Sequence, residues 1–249
     1  MTKINRMGEI HTTNRCGKIK IVKYENYKNV SVMFENGDIK HNVRYGDIKR
    51  GQVSSNMYPN IHGVAFVGDG KFTHANSKRA YHTWHDMIDR CYGDNSKLKK
   101  KSYIGCSVCN EWLNFQNFAK WYTENYYEIS GEKMHLDKDI LNKHNREYSS
   151  ESCMFVPESI NIIFISRNSD RGDCPLGTNY NKKQGKYHSY ISKKGFREYL
   201  GSFDSKEEAF KKYKYEKECH IKNVADEYRN CIPKKLYDAL CRYNIEITD

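Results

Sequence analysis

Residues 176–228 read LGTNYNKKQGKYHSYISKKGFREYLGSFDSKEEAFKKYKYEKECHIKNVADEY, and this stretch decides the fold of the C-terminal third of the chain. Short alternating runs of apolar and polar side chains, separated by turn residues, predict three strands. The strands are expected at residues 178–180, 187–192 and 198–203. Directly after them, Ser205 is followed three residues later by Glu208, a capping-box signature that predicts the start of a helix.

The second predicted strand has two different faces. Because side chains alternate along a strand, one set should face the helix and the other should lie open. The helix-facing set is expected to be Tyr187, Ser189 and Ile191. The open set is expected to be Lys186, His188, Tyr190 and Ser192.

Positive charge is concentrated on this predicted sheet. Residues 176–200 carry six basic side chains, opposed by one acidic residue, Glu198. Such a surface favours contact with DNA phosphates, although a solvated basic sheet face would have the same composition. The candidate DNA contacts are Asn179, Tyr180, Lys182, Lys183, Lys186, His188, Tyr190, Lys193, Lys194 and Arg197.

Residues 176–228 resemble the AP2/ERF domain along nearly their whole length. The similarity rests on GTNY at 177–180, GKY at 185–187, YLGSF at 199–203 and a helix that begins around EEA at 207–209. The resemblance implies that the three-stranded sheet enters the major groove of double-stranded DNA and that the helix packs behind it.

A second group of functional candidates lies at residues 135–139, HLDKD. If this segment is a strand, His135, Asp137 and Asp139 project together and Leu136 points into the core. Two carboxylates and an imidazole can hold a hard divalent cation and deprotonate a water molecule. The alternative interpretation is a surface turn in which Lys138 pairs with its neighbours.

This region resembles the ββα-metal, or HNH, nucleases, particularly the phage and intron-encoded homing type. The matching segments are HLDKDIL at 135–141, Asn145, and YSSESCMFVPESIN at 148–161. The resemblance implies Mg²⁺ bound by Asp137 and Asn161, with Asn145 orienting the loop. Strand alternation adds Asp139 as a further candidate carboxylate ligand, and Mn²⁺ is the alternative metal ion.

The sequence departs from the HNH pattern at Lys138, which stands where that family has its general-base histidine. A lysine with an ordinary pKa is protonated and cannot accept a proton. His135 or His144 could replace the base, or a buried Lys138 could have a lowered pKa. The remaining alternative is that catalysis has been lost.

Nine cysteines suggest either free thiols or a metal, since no secretion signal is evident. A CxxC pair at Cys106 and Cys109, together with Cys91 and Cys153, could complete a structural Zn²⁺ site. The spacing is irregular, and all four positions are apolar in context. The preferred interpretation is that they are buried thiols that act as small hydrophobic residues.

The rest of the chain predicts an α+β protein of several domains. Residues 1–56 are expected to form a small β-barrel or meander, whose lysines either contact DNA or form a solvated surface. Residues 57–172 are expected to form a helical and HNH-like domain, and residues 173–249 the AP2-like domain. The boundary is placed at residues 172–175. Aromatic stripes at helical spacing around Trp84 and Phe118 are interpreted as core.

Charge and composition favour a polyanionic partner inside a cell. The formal net charge is +11, and no signal peptide or membrane span is evident in the sequence, which indicates a cytoplasmic protein, as in a phage-infected bacterium. The predicted function is metal-dependent cleavage or nicking of double-stranded DNA. The alternatives are a non-catalytic phage regulator or host-defence antagonist on a degenerate HNH core, and a protein that binds a host protein through its barrel.

Overall fold

The computed structural model describes residues 5–93, 103–165 and 173–249. The chain folds into two compact units. The first unit comprises Met1–Tyr126 with Arg146–Ser150, and the second comprises Tyr127–Asn145 with Glu151–Asp249. The architecture is α+β. The division into three domains stays a prediction, and Gly172, at its expected boundary, lies outside the described residues.

The first unit begins with a four-stranded antiparallel sheet in the order β1-β2-β3-β4. Its strands are β1 (Ile10–Thr12), β2 (Lys18–Asn26), β3 (Asn29–Phe34) and β4 (Ile39–Val43). Of the two forms expected here, the sheet is the open meander and not the closed barrel, because β1 and β4 are its two edges and do not pair within the described chain. Four strands are too few to close, and the chain leaves β4 for the short helix α1 (Tyr45–Lys49), whose Ile48 joins the core under the sheet.

The helical part of the first unit has an aromatic core. It contains α2 (Lys78–Tyr92), a 3₁₀ turn (Asn110–Leu113), α3 (Phe115–Asn125), and the short parallel strands β5 (Ser107–Val108) and β7 (Glu147–Tyr148). Trp84 is fully buried, and its indole N–H donates to the Trp112 carbonyl at 2.6 Å. Phe115 and Phe118 are also buried. The interpretation of these stripes as core is confirmed.

The second unit begins with a strand, loop, strand and short helix, in the predicted order. The elements are β6 (Met134–Asp137), β8 (Met154–Pro157) and α4 (Glu158–Asn161), followed by a 3₁₀ turn (Ile162–Phe164). β6 and β8 are antiparallel, with Met134 opposite Pro157 and Asp137 opposite Met154. The chain therefore enters α4 at the Met134 end of β6.

The three C-terminal strands and their helix are confirmed. They are β9 (Thr178–Asn181), β10 (Lys186–Lys193), β11 (Phe196–Phe203) and α5 (Lys206–Glu227), with the sheet order β11-β10-β9; α6 (Lys234–Cys241) follows. The Ser205 hydroxyl accepts a hydrogen bond from the Glu208 amide at 3.2 Å, which is the predicted cap. In the part of the chain that is described, no helix has the length and apolar character needed to cross a bilayer.

The whole second unit shares one hydrophobic core. Val156 of β8 and Ile160 of α4 belong to the same buried cluster as Ile191 of β10 and Phe210 and Tyr213 of α5. Fully buried aliphatic side chains of this kind each stabilise a fold by about 1.5–3 kcal/mol. The strand pair β6–β8 and the C-terminal sheet are therefore held by the same packing.

Candidate nucleic-acid interface and metal loop

The C-terminal sheet has one face covered by α5 and one face left open. Ser189 and Ile191 are buried on the covered side, as predicted. Directly opposed residues on neighbouring strands share a face. Tyr190 lies opposite Tyr199, and Ser192 lies opposite Arg197. We call the side away from α5 the open face; it carries Asn179, His188, Tyr190, Arg197 and Tyr199.

Aromatic rings and one guanidinium are packed together on the open face. The guanidinium carbon of Arg197 lies 4.0 Å from the centroid of the Tyr190 ring. The centroids of Tyr190 and Tyr199 are 5.4 Å apart, and those of His188 and Tyr199 are 5.5 Å apart. A guanidinium held against an aromatic ring has fewer side-chain conformations to lose when it binds a ligand. The contact with Tyr190 therefore restricts the Arg197 side chain before any ligand binds.

His188 lies below this surface and supports it. Its Nε2 is 2.7 Å from the Gln184 side-chain oxygen, and its Nδ1 is 3.3 Å from the Tyr190 hydroxyl. Since an amide oxygen only accepts hydrogen bonds, we assign the proton to Nε2, which leaves Nδ1 to accept from Tyr190. The imidazole is buried, so its role here is to position Gln184 and Tyr190.

The other predicted lysine contacts lie at the ends and turns of the sheet. Lys182 and Lys183 are exposed in the turn after β9. Lys186, at the start of β10, alternates with His188 on the open face as predicted, is exposed, and forms an ion pair with Asp204 at 2.9 Å. At the β10–β11 turn, Lys194 lies 3.8 Å from Glu227 of α5.

Two of the predicted contacts are on the covered side of the sheet. Lys193 pairs with Glu198 at 3.2 Å and with Glu216 of α5 at 3.6 Å. Tyr180 lies opposite Tyr187, which alternates with the buried Ser189. The open face therefore does not include these two side chains.

Tyr199 lies on the open face but is not among the predicted DNA contacts. It is 53% exposed and touches both aromatic partners on the open face. Ser189 pairs with Gly201, and the next residue, Tyr190, pairs with Tyr199. Leu200 is therefore the extra residue of a β-bulge in β11. Simple alternation along β11 would place Tyr199 and Gly201 on the same face, so it does not predict that Tyr199 lies on the open face.

The candidate metal residues begin at the end of β6. The predicted strand 135–139 is too long, since β6 ends at Asp137 and the next residues form a bend. One carboxylate oxygen of Asp137 accepts hydrogen bonds from the amides of Asp139 and Ile140, both at 2.8 Å. An aspartate side chain that binds the amides of the following residues forms a turn, which ends the strand. Asp139 is therefore outside the strand and does not share a strand face with His135 and Asp137.

Asp137 and His135 are both only partly exposed. Burial raises the pKa of Asp137, although its two backbone hydrogen bonds act in the opposite direction. Nε2 of His135 is buried and lies 3.5 Å from a Glu158 carboxylate oxygen, without a hydrogen-bond partner among the described residues. His135 therefore faces α4, and Asp137 faces its own turn.

Lys138 is buried and joined to the acceptors around it. Its Nζ lies 2.7 and 2.9 Å from the two Asp139 carboxylate oxygens and 2.8 Å from the Asn145 carbonyl. The Asn145 side-chain amide donates to the Lys138 carbonyl at 3.1 Å. The pairing of Lys138 with a neighbour is thus confirmed, but the side chain is 6% exposed and does not lie on the surface.

Asn161, the third proposed ligand, lies at the end of α4. The amide of Glu158, at the start of α4, donates to the Lys133 carbonyl at 2.8 Å, beside the first residue of β6. Asp137 is at the opposite end of this strand, about 10 Å along it. The helix therefore starts away from the Asp137 carboxylate.

The donor set as arranged does not fit a divalent cation. Both Asp139 oxygens already face an ammonium group, and one Asp137 oxygen is held by two amides. A metal ion there would be repelled by the nearby positive charge. In the described ranges, no three His, Cys, Asp or Glu side chains are grouped so as to hold a metal ion.

The cysteine set is divided between the two units. Cys91, Cys106 and Cys109 belong to the first unit and Cys153 to the second. None of the nine cysteines, all of which are described, forms a disulfide bond. Burial raises the pKa of the Cys109 thiol, which disfavours the thiolate form that binds zinc. The structural Zn²⁺ site stays a prediction.

No family model, curated protein or solved structure matches this chain.

Proposed function

We propose that this protein binds double-stranded DNA through the open face of its C-terminal sheet. The observation that carries the proposal is the exposed Arg197, whose guanidinium carbon lies 4.0 Å from the centroid of the partly buried Tyr190 ring, beside the exposed ring of Tyr199. Arginine held in one plane is suited to the edges of bases, and the sheet around it is rich in lysine.

The dimensions of the sheet are compatible with the major groove. Three strands span about 10 Å from the first backbone to the third, and the major groove is about 12 Å wide. With β10 central, the exposed turn lysines Lys182 and Lys183 lie at one end of the sheet. They would neutralise phosphates and set the orientation of the protein, without reading sequence.

Base recognition is assigned to the side chains that the sheet holds in place. Two N–H groups of the Arg197 guanidinium match O6 and N7 of guanine. The amides of Asn179, Asn181 and Gln184 can also form paired hydrogen bonds with a base, and the Gln184 oxygen is held by His188. Binding is therefore expected to have a modest sequence preference that includes guanine.

Selection from a random duplex library with the full chain tests this proposal. The bound duplexes should share a short guanine-containing motif, and affinity for them should fall with salt on a log–log plot. No enrichment over the starting library, together with affinity insensitive to salt, would contradict DNA binding.

Metal-dependent cleavage of DNA is the second candidate function. One observation favours it, namely the order β6, β8, α4 with an aspartate at the end of the first strand. It ranks second because the ligand set does not fit a divalent ion as arranged, so binding without cutting, as in a regulator, is the form that the geometry supports best.

A plasmid assay separates the two functions. Supercoiled DNA is incubated with the protein and Mg²⁺ or Mn²⁺, in parallel with Asp137→Ala and Asn161→Ala. Nicking by the wild type that both substitutions abolish would establish cleavage. Binding without nicking under either metal would leave the non-catalytic function.

A further inference from the structure

The loop that follows β6 is closed by the side-chain ammonium group of Lys138. We define the β6 loop as residues 138–145. Lys138 at its start and Asn145 at its end are joined twice, by Nζ to the Asn145 carbonyl and by the Asn145 amide to the Lys138 carbonyl. The ammonium also contacts both oxygens of the Asp139 carboxylate.

The atoms around Lys138 Nζ are those that a hard metal ion prefers. A carboxylate and a backbone carbonyl are typical oxygen ligands of Mg²⁺, Mn²⁺ and Ca²⁺. An ammonium group has N–H donors for several oxygens, and the two Asp139 carboxylate oxygens and the Asn145 carbonyl oxygen lie 2.7, 2.9 and 2.8 Å from Nζ. The Lys138 ammonium therefore already supplies the positive charge that these oxygens would otherwise take from a metal ion.

We infer that the Lys138 ammonium takes the place of a divalent metal ion in the β6 loop. The loop is then closed without metal, and the oxygen set is blocked for Mg²⁺ and Mn²⁺ because a second cation would sit against the first. The side chain is held there by its burial, since Lys138 is 5% exposed. This inference does not depend on DNA binding by the C-terminal sheet.

The residues on either side of Lys138 anchor the start of the β6 loop. Asp137 fastens the amides of Asp139 and Ile140, and Ile140 is buried in the core of the second unit. Lys138 therefore lies between a residue that ends β6 and a residue that enters the core. Loss of its charge would leave the Asp139 carboxylate and the Asn145 carbonyl without this donor.

Mn²⁺ binding to the full chain tests the inference. Binding is measured by electron paramagnetic resonance, and thermal unfolding is recorded in EDTA and in Mn²⁺, for the wild type, Lys138→Met and Lys217→Met. Lys217 is the matched control because its ammonium is also withdrawn from solvent. Among the described residues it donates to a carbonyl, that of Ile163 at 2.7 Å, and has no carboxylate partner.

The wild type and Lys217→Met are expected to bind no Mn²⁺ at the β6 loop and to unfold at the same temperature with and without it. Lys138→Met should unfold at a lower temperature in EDTA and should bind Mn²⁺ at least about tenfold more tightly than the wild type. Mn²⁺ should raise its unfolding temperature. If Lys138→Met does not fold in EDTA, it should fold when Mn²⁺ is added.

Two outcomes would overturn the inference. One is Mn²⁺ binding by the wild type that disappears in Asp139→Asn, which would show that the loop takes a metal with Lys138 in place. The other is Lys138→Met that neither binds Mn²⁺ nor is stabilised by it, whether it folds or not.

Discussion

The guanidinium of Arg197 lies 4.0 Å from the centre of the Tyr190 ring, on the side of the sheet away from α5. Arg197 is on β11 and Tyr190 on β10, so the contact runs diagonally between neighbouring strands. This contact restricts the conformations from which the arginine can donate hydrogen bonds. We treat this relationship as the centre of the candidate interface.

Replacing Arg197 by lysine should show whether Arg197 acts in DNA binding through its positive charge or through its planar geometry. Lysine keeps the positive charge but has no planar fork. We expect Arg197→Lys to reduce discrimination between a preferred duplex and one with a changed guanine by about 1–3 kcal/mol, while the salt dependence of binding stays close to that of the wild type. Anisotropy titrations with both duplexes measure this. Unchanged discrimination would remove Arg197 as a base reader.

The turn lysines should determine the salt dependence. Lys182 and Lys183 are exposed and form no ion pair within the described chain. Replacing both by alanine should reduce the slope of log affinity against log salt by about two units. Lys193→Ala is the matched control, because Lys193 is paired with Glu198 and Glu216 on the covered side. Equal slopes for the double variant and the wild type would be incompatible with phosphate contact at this turn.

The second unit should unfold as one cooperative body. Ile160 of α4 and Ile191 of β10 belong to the same buried cluster. Truncating either to alanine should cost about 2–5 kcal/mol. Hydrogen exchange should show loss of protection in both β8 and α5 for each variant. If Ile160→Ala loosened only β6 and β8 while α5 kept its protection, the predicted domain boundary near residue 173 would be supported instead.

Lys217 should give the stability a distinct dependence on pH. Burial lowers the pKa of Lys217 from 10.5 to about 8 in the folded chain. Between these values the unfolded chain binds more protons, so the contribution of this lysine to stability is least favourable below about pH 8 and improves as pH rises toward 10.5. The total change is at most roughly 3 kcal/mol.

Denaturant titrations of the wild type and Lys217→Met across this window check the sign. The variant should lack the rise, so the difference in unfolding free energy between the two proteins should change as pH increases. A constant difference from neutral pH to the upper end of the window would show that Lys217 titrates at its ordinary pKa.

The C-terminal fold was predictable because its signals are local. Each strand has its own alternation of apolar and polar residues. Ser205 and Glu208 are only three residues apart, so the helix cap can be predicted from neighbouring residues. The same holds for β6, β8 and α4. The closure of the N-terminal sheet was not predictable, because whether β1 meets β4 depends on long-range geometry and not on the pattern within either strand.

The candidate sites show the same limit. The face of Ser189 and Ile191 followed from alternation, but Tyr199 was hidden by the bulge at Leu200. Asp139 was assigned to a strand because the sequence does not reveal that Asp137 turns onto the following amides. The burial of Lys138 depends on Asn145, seven residues away, and such loop contacts have no periodic signature.

DNA affinity of Arg197→Ala, compared with Arg229→Ala, is the measurement that tests the central claim most directly. Arg229 is a matched control, because it is exposed and its guanidinium lies 5.1 Å from the Tyr237 ring, outside the sheet. Using the duplex selected by the wild type, we expect Arg197→Ala to bind at least about tenfold more weakly and Arg229→Ala to bind as the wild type does. Equal affinities for the two variants would contradict DNA recognition by the open face.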